Sequence, residues 1–96
     1  MINSKQRAYL KSLANNLDPV LIIGKDGISE NTIKQLDDVL NKRELIKIKV
    51  LNNNYDDRKQ MIDEIVEATN SEFVQFMGSK ITLYRESEEK KIELPK

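Results

Sequence analysis

The sequence predicts a single α/β domain, a mixed four-stranded sheet packed against helices in the order α-β-α-β-α-β-β. Three observations carry that prediction. Two segments rich in β-branched apolar residues, the unbroken run Val20–Ile23 and the alternating Leu45–Leu51, each stop at turn-forming residues. Each is then followed by a segment whose apolar residues recur at helical spacing. The third is a closing pair of short apolar segments joined by Gly78-Ser79, which reads as a hairpin. The chain has 96 residues, enough for one core and too few for two.

The first helix is expected over residues 4–17, capped by Asn3 or Ser4, with Leu10, Leu13, Ala14 and Leu17 as its buried stripe. Asp18-Pro19 ends it, since a residue before proline avoids the α region. Val20–Ile23 is an unbroken apolar run, which predicts a central strand covered on both faces. A second helix starts at Ser29, with Ile28 and Ile33 placed to staple its first turn. Ile33, Leu36, Val39 and Leu40 carry its apolar face, and it should end near Asn41-Lys42-Arg43.

In the next strand Ile46, Ile48 and Val50 face one side and Lys47 and Lys49 the other. Asn52-Asn53-Asn54 turns the chain into a third helix over residues 55–70, with Asn54 or Asp56 as cap. Met61, Ile62, Ile65, Val66 and Thr69 form its inner stripe. Asp63, Glu64 and Glu67 form its outer surface. Strands at 73–77 and 81–85 follow. Residues 86–96 are rich in charge and are expected to form an extended or mobile tail.

The residues between the first strand and the second helix carry the most specific chemistry. Gly24-Lys25-Asp26-Gly27 is a tight loop running into a helix N-terminus. Glycine admits positive φ and close approach of another backbone. The first turn of a helix leaves N–H groups unpaired and positively polarised, and Lys25 adds a full charge. Such a loop suits a phosphate, and Gly-x-x-Gly loops clamp the nucleic-acid backbone in some RNA-binding modules. A plain chain reversal uses the same residues.

Composition removes most other chemistry. With no cysteine there is neither a disulfide framework nor a thiolate metal site. With no histidine the commonest general base and metal ligand are missing. Asp56-Asp57 and the acids of the third helix lack the spacing of an oxygen-ligand loop, so no metal, no cofactor and no catalytic residue is assigned. No targeting segment or stretch of membrane-spanning length is seen, and a cytoplasmic monomer is expected.

Sixteen basic and sixteen acidic residues cancel. Residues 1–49 nevertheless hold nine basic against six acidic side chains, and residues 50–96 hold seven against ten. A basic face can therefore coexist with an acidic one. Lys5, Arg7 and Lys11 lie on the first helix, Lys25 at the loop, Lys47 and Lys49 on one strand, and Arg85 at the end of another. Two alternating lysines also serve to protect a sheet edge.

Taken in order, four motifs resemble the YhbY-type RNA-binding proteins, stand-alone CRM (chloroplast RNA splicing and ribosome maturation) domains. They are Leu17-Asp18-Pro19-Val20 with Ile22-Ile23-Gly24-Lys25-Asp26-Gly27-Ile28; Glu44-Leu45-Ile46-Lys47-Ile48-Lys49; Gly78 with Leu83-Tyr84-Arg85; and Ile92-Glu93-Leu94-Pro95. The resemblance spans residues 4–96. It implies a fold similar to the C-terminal domain of translation initiation factor three. It also implies RNA binding without catalysis, with precursors of the large ribosomal subunit as partner. Carried onto this chain, it implies that Gly24, Lys25 and Gly27 hold the RNA backbone, with Asp26 inside the loop. Lys47, Lys49 and Arg85 match basic positions of the family. Lys5, Arg7 and Lys11 join the expected contacts on electrostatic grounds alone. Where family members commonly carry histidine and lysine before the Pro-Val strand, this chain reads Asn15-Asn16-Leu17-Asp18. A second function stays open: a protein-interaction module docking its acidic third helix on a basic ribosomal protein or assembly factor.

Overall fold

A computed structural model of the chain describes residues 2–24, 28–51, 55–87 and 92–95, with the side chains of residues 55–58 excepted. The expected turn at Asn52-Asn53-Asn54 and the candidate caps Asn54 and Asp56 lie outside that description.

The first helix, α1, spans Ser4–Ala14. Asn3 caps it: its Oδ1 accepts the Gln6 N–H at 2.8 Å, while Gln6 Oε1 accepts the Asn3 N–H at 3.0 Å. Such caps stabilise a helix by about 1 kcal/mol. α1 ends three residues earlier than its apolar stripe suggests, because the Leu17 N–H closes a short turn onto Ala14 O at 3.0 Å. Leu17 still packs in the cluster that Leu10 and Ala14 form.

Strand β1 is Leu21–Ile23 and helix α2 is Glu30–Arg43. Ser29 and Thr32 form a reciprocal capping pair, and Ile28 and Ile33 both pack against the core, as a hydrophobic staple requires. β2 is Leu45–Val50, α3 Tyr55–Thr69, β3 Glu72–Met77 and β4 Lys80–Tyr84. α3 ends on Asn70, whose φ of 54° lies in the left-handed region, and the Ser71 N–H bonds back to Val66 O at 3.2 Å.

The sheet order is β1-β2-β4-β3, with β1 parallel to β2 and the other pairs antiparallel. β1 is therefore an edge strand, not the central strand its apolar run predicts. Leu21 and Ile23 turn into the core, but Ile22 between them is 60% exposed. β2, the strand with the lysines, is central.

Two apolar clusters hold the sheet between its layers. On one face α2 and α3 bury Ile23, Leu36, Leu40, Ile46, Ile48, Met61, Ile65, Ile81 and Leu83. Phe73 and Phe76 join this face although they are three positions apart, an odd interval that a regular strand would send to opposite sides. A register shift between Phe73 and Gln75 resolves the conflict by inserting one residue. On the other face α1 covers Leu45, Val74 and Tyr84.

Part of the expected tail is packed. Ile92 and Leu94 lie against the α1 cluster, and Pro95 O accepts a hydrogen bond from Gln6 Nε2 at 3.0 Å. The fully buried carboxylate of Glu44 holds the segment in place. It accepts the Ser87 N–H at 2.8 Å, the Ser87 hydroxyl at 2.6 Å and the Ile92 N–H at 2.8 Å. A charge-rich stretch is anchored here because two apolar side chains find a core and a buried anion finds donors.

Arg85 binds the opposite layer. Its Nη1 donates to Asp37 Oδ1 at 2.6 Å and to Thr69 O at 2.7 Å. Its Nη2 donates to Asp37 O at 3.0 Å and to Asn41 Oδ1 at 2.7 Å. One guanidinium thus ties the end of β4 to the second half of α2, through Asp37 and Asn41, and to the last residue of α3, whose carbonyl lacks a helical partner.

Tyr84 has a different problem. It is 3% exposed, and its hydroxyl has no hydrogen-bond partner among the described residues. Burial pushes that hydroxyl above its ordinary value of 10.0, and the Glu44 and Glu86 carboxylates push it further in the same direction.

Two stability measurements check these assignments. Arg85→Ala should cost about 2–3 kcal/mol in urea unfolding, the loss expected when several charge-assisted bonds at a partly buried site disappear. Arg85→Lys should recover less than half, because a point charge cannot span four acceptors. For Tyr84 the unfolded chain ionises first as pH rises, so its contribution is intact below pH 10.0 and is lost on going above it. Tyr84→Phe should keep the midpoint at pH 7 no lower than that of the parent and flatten the alkaline decline. A large loss at pH 7 would reveal a partner for the hydroxyl.

Candidate nucleic-acid interface

The face covered by α1 is only half covered. α1 lies over Leu45, Val74 and Tyr84, all toward one end of the sheet. At the other end β1 delivers Gly24, β2 delivers Leu51, and the β3–β4 hairpin turns at Gly78-Ser79. The Leu51 N–H bonds to Ile23 O at 2.9 Å, and the Val50 N–H bonds to Ser79 O at 2.7 Å. The exit of the first strand, where the glycine loop begins, is therefore next to the end of the lysine-bearing strand.

The sheet register sets which side chains share this open half. Ile22 is opposite Lys49, Lys49 is opposite Lys80, and Lys80 is opposite Met77. These four residues form one row across all four strands. The next row toward α1 holds Lys47, Thr82 and Gln75; Thr82 is already buried, so this row marks where the covering begins. Lys47 and Lys49 cannot be edge protection, because strands flank β2 on both sides. They are cations projected from the middle of the sheet on the face opposite the main core.

α1 extends the charge. Arg7 and Lys11 line a shallow depression of about 640 Å³ between α1 and β3, which ends at Met77. Arg7 Nε donates to Phe73 O at 3.4 Å, which holds the stem of this side chain along β3. Lys5 is exposed on the first turn of α1. Five cations, Arg7, Lys11, Lys47, Lys49 and Lys80, thus border one surface. Lys80 was missed by sequence reasoning. Its alignment with Lys49 depends on the β2–β4 register, which a hairpin prediction does not supply.

Gly24 itself is informative. Its φ is not positive, and a Cβ built on it meets nothing within 4 Å. The fold therefore does not require glycine at this position. Lys25, Asp26 and Gly27 lie outside the described residues. Arg85 does not join the others: its donors are occupied at the α2–α3 side of the sheet, so its role is structural. The acids Asp63, Glu64 and Glu67 are exposed on α3, across the sheet from the lysines. Among the described residues no group of three or more acidic side chains is placed to hold a metal ion.

Comparison with known proteins agrees with this architecture. The chain is 43% identical over 96 residues to the probable RNA-binding protein YqeI of Bacillus subtilis (strain 168), covering 99% of this chain and all of that one. It is 39% identical over 95 residues to an RNA-binding protein of Haemophilus influenzae, covering 99% and 96%. The solution structure of the hypothetical protein SAV1595 from Staphylococcus aureus, described as an RNA-binding candidate, superimposes with a TM-score of 0.88 at 58% identity. That match covers 99% of this chain and all of the other. The model of the CRS1 / YhbY (CRM) domain matches residues 2–85, and the chain belongs to that family.

Proposed function

We propose that this protein binds structured ribosomal RNA without catalysis, through the Gly24–Gly27 loop and the lysine face beside it, and assists assembly of the large ribosomal subunit in the cytoplasm. The single observation that carries the reading is the placement of Lys47 and Lys49. A central strand has no need of lysines for edge protection, yet two project from it on the face opposite the main core, Lys49 next to the end of the sheet where the glycine loop begins and Lys47 beside Asp18 where β1 enters. The relatives named as RNA-binding proteins support the class of partner.

Phosphate contacts position a protein on RNA but carry little sequence information. In this reading Lys25 and the backbone of Gly24 and Gly27 clamp one stretch of backbone. Arg7, Lys11, Lys47 and Lys49 take neighbouring phosphates, and Lys5 adds to the field at the start of α1. The absence of any clash at a Gly24 Cβ fits a residue kept small for a ligand's approach. Selectivity comes from RNA shape, since few base edges are accessible in a helix of RNA.

Fluorescence anisotropy with large-subunit ribosomal RNA fragments tests the reading. Binding should weaken with salt, and Lys25→Ala should make the log–log slope shallower by about 0.7–0.9, one phosphate contact. Gly27→Asp, which adds bulk and negative charge, should abolish binding with an unchanged circular dichroism spectrum. Replacing Asp63, Glu64 and Glu67 together by their amides should leave RNA affinity unchanged or raise it. If that triple variant instead loses association with pre-ribosomal particles while RNA affinity persists, docking through α3 becomes the better account.

A further inference from the structure

Three of the four large hydrophobic side chains most exposed among the described residues, Ile22 (60%), Leu51 (45%) and Met77 (65%), lie at one end of the sheet. That is the end where the glycine loop leaves β1. Two of them terminate the row Ile22–Lys49–Lys80–Met77, so apolar groups flank two ammonium groups. No acid stands in this row. With strands about 4.8 Å apart the row is roughly 14 Å long.

We infer that this row is a seat for an unpaired, single-stranded segment of the bound RNA, with bases lying on Met77 and Ile22 and phosphates on Lys49 and Lys80. The inference rests on the RNA-binding reading above and specifies what that surface takes. A double helix offers phosphates on its outside but keeps its base faces stacked, so it would leave Met77 and Ile22 against charged oxygens. Only unstacked bases offer the apolar faces that these side chains can cover. Every base has such a face, so the seat is tolerant of sequence. A protein partner would call for a contiguous apolar centre with charges at the rim. Here the order is reversed, with the two cations in the middle.

Met77 supplies the probe. The chain has three methionines, and Met61, on the inner face of α3, is buried and serves as an internal control. Protein labelled with ¹³C at the methionine methyls is titrated with a 12-nucleotide single-stranded RNA of mixed sequence and, separately, with the same strand annealed to its complement. The expected result is an upfield ring-current shift of the Met77 methyl with the single strand alone, and a still Met61. By anisotropy, Ile22→Ser with Met77→Ser should weaken single-strand binding about tenfold or more while duplex binding stays as it was. Both positions are largely exposed, and equal melting temperatures would show that the fold is intact. Equal binding of strand and duplex with an unmoved Met77 methyl overturns this inference and leaves the RNA-binding reading standing. Binding of neither of these, nor of the large-subunit ribosomal RNA fragments, at low salt overturns both.

Discussion

The carboxylate of Glu44 has no access to water, and the surrounding structure is arranged to make that tolerable. Burying a carboxylate costs several kcal/mol unless donors replace the lost hydration. Three come from Ser87 and Ile92, and the capture of those donors is what draws the last residues of the chain onto the α1 cluster. The residue bears a second cost. Its φ of 63° and ψ of −49° are near the strained classic γ-turn, a conformation worth roughly 1–3 kcal/mol against a non-glycine residue. The chain must turn there from α2 straight into β2 without a linker. The Glu44 carbonyl then accepts the Arg85 N–H at 2.9 Å. From that point the Arg85 side chain reaches back to α2 and α3. Two paired residues, one just before β2 and one just after β4, thus fasten both layers to the sheet.

This fastening explains how the outer face is divided. The tail and α1 converge on the end of the sheet where Glu44 and Tyr84 are buried, so the apolar groups that cover the face are concentrated there. The other end is left open. The same alternation along β2 that turns Ile46, Ile48 and Val50 into the core turns Leu45 under α1, but turns Lys47 and Lys49 toward the uncovered half. Covered and open halves of one face are therefore written in one strand, with leucine first and lysines after it.

Much of this was legible in the sequence because it depends on local periods. The period-two pattern of 45–50 gave both core and cations, and the Ser29 cap and the Ile28–Ile33 staple gave the start of α2. What was not legible depends on distant partners. The run Val20–Ile23 looked central because four apolar residues in a row usually are. Only the pairing of β1 with β2 alone shows that Ile22 faces outward. The bulge in β3 could be suspected only from two phenylalanines at an odd spacing. The burial of Glu44 and the capture of Arg85 by α2 join residues more than forty positions apart, and nothing in either neighbourhood signals it. In the same way Arg85 looked equivalent to Lys47 and Lys49 as a basic position. Its acceptors, three of them on the second half of α2 and one at the end of α3, make it a different kind of residue.

The zero net charge looks unfavourable for a partner as anionic as RNA, but the arrangement changes its meaning. Asp37 is paired with Arg85 and the Glu44 carboxylate is buried among donors, so neither contributes a bare negative field near the lysines. The exposed acids Asp63, Glu64 and Glu67 of α3 are on the far side of the sheet, farther from a polyanion on the lysine face than one Debye length of about 8 Å allows them to act strongly. Separated in this way, the charges orient the molecule on approach: the lysine face is attracted while the α3 face is repelled. Five bordering cations set a low ceiling on purely electrostatic affinity. A surface with that ceiling gains most from contacts that salt does not screen, and the exposed apolar side chains are among the same lysines.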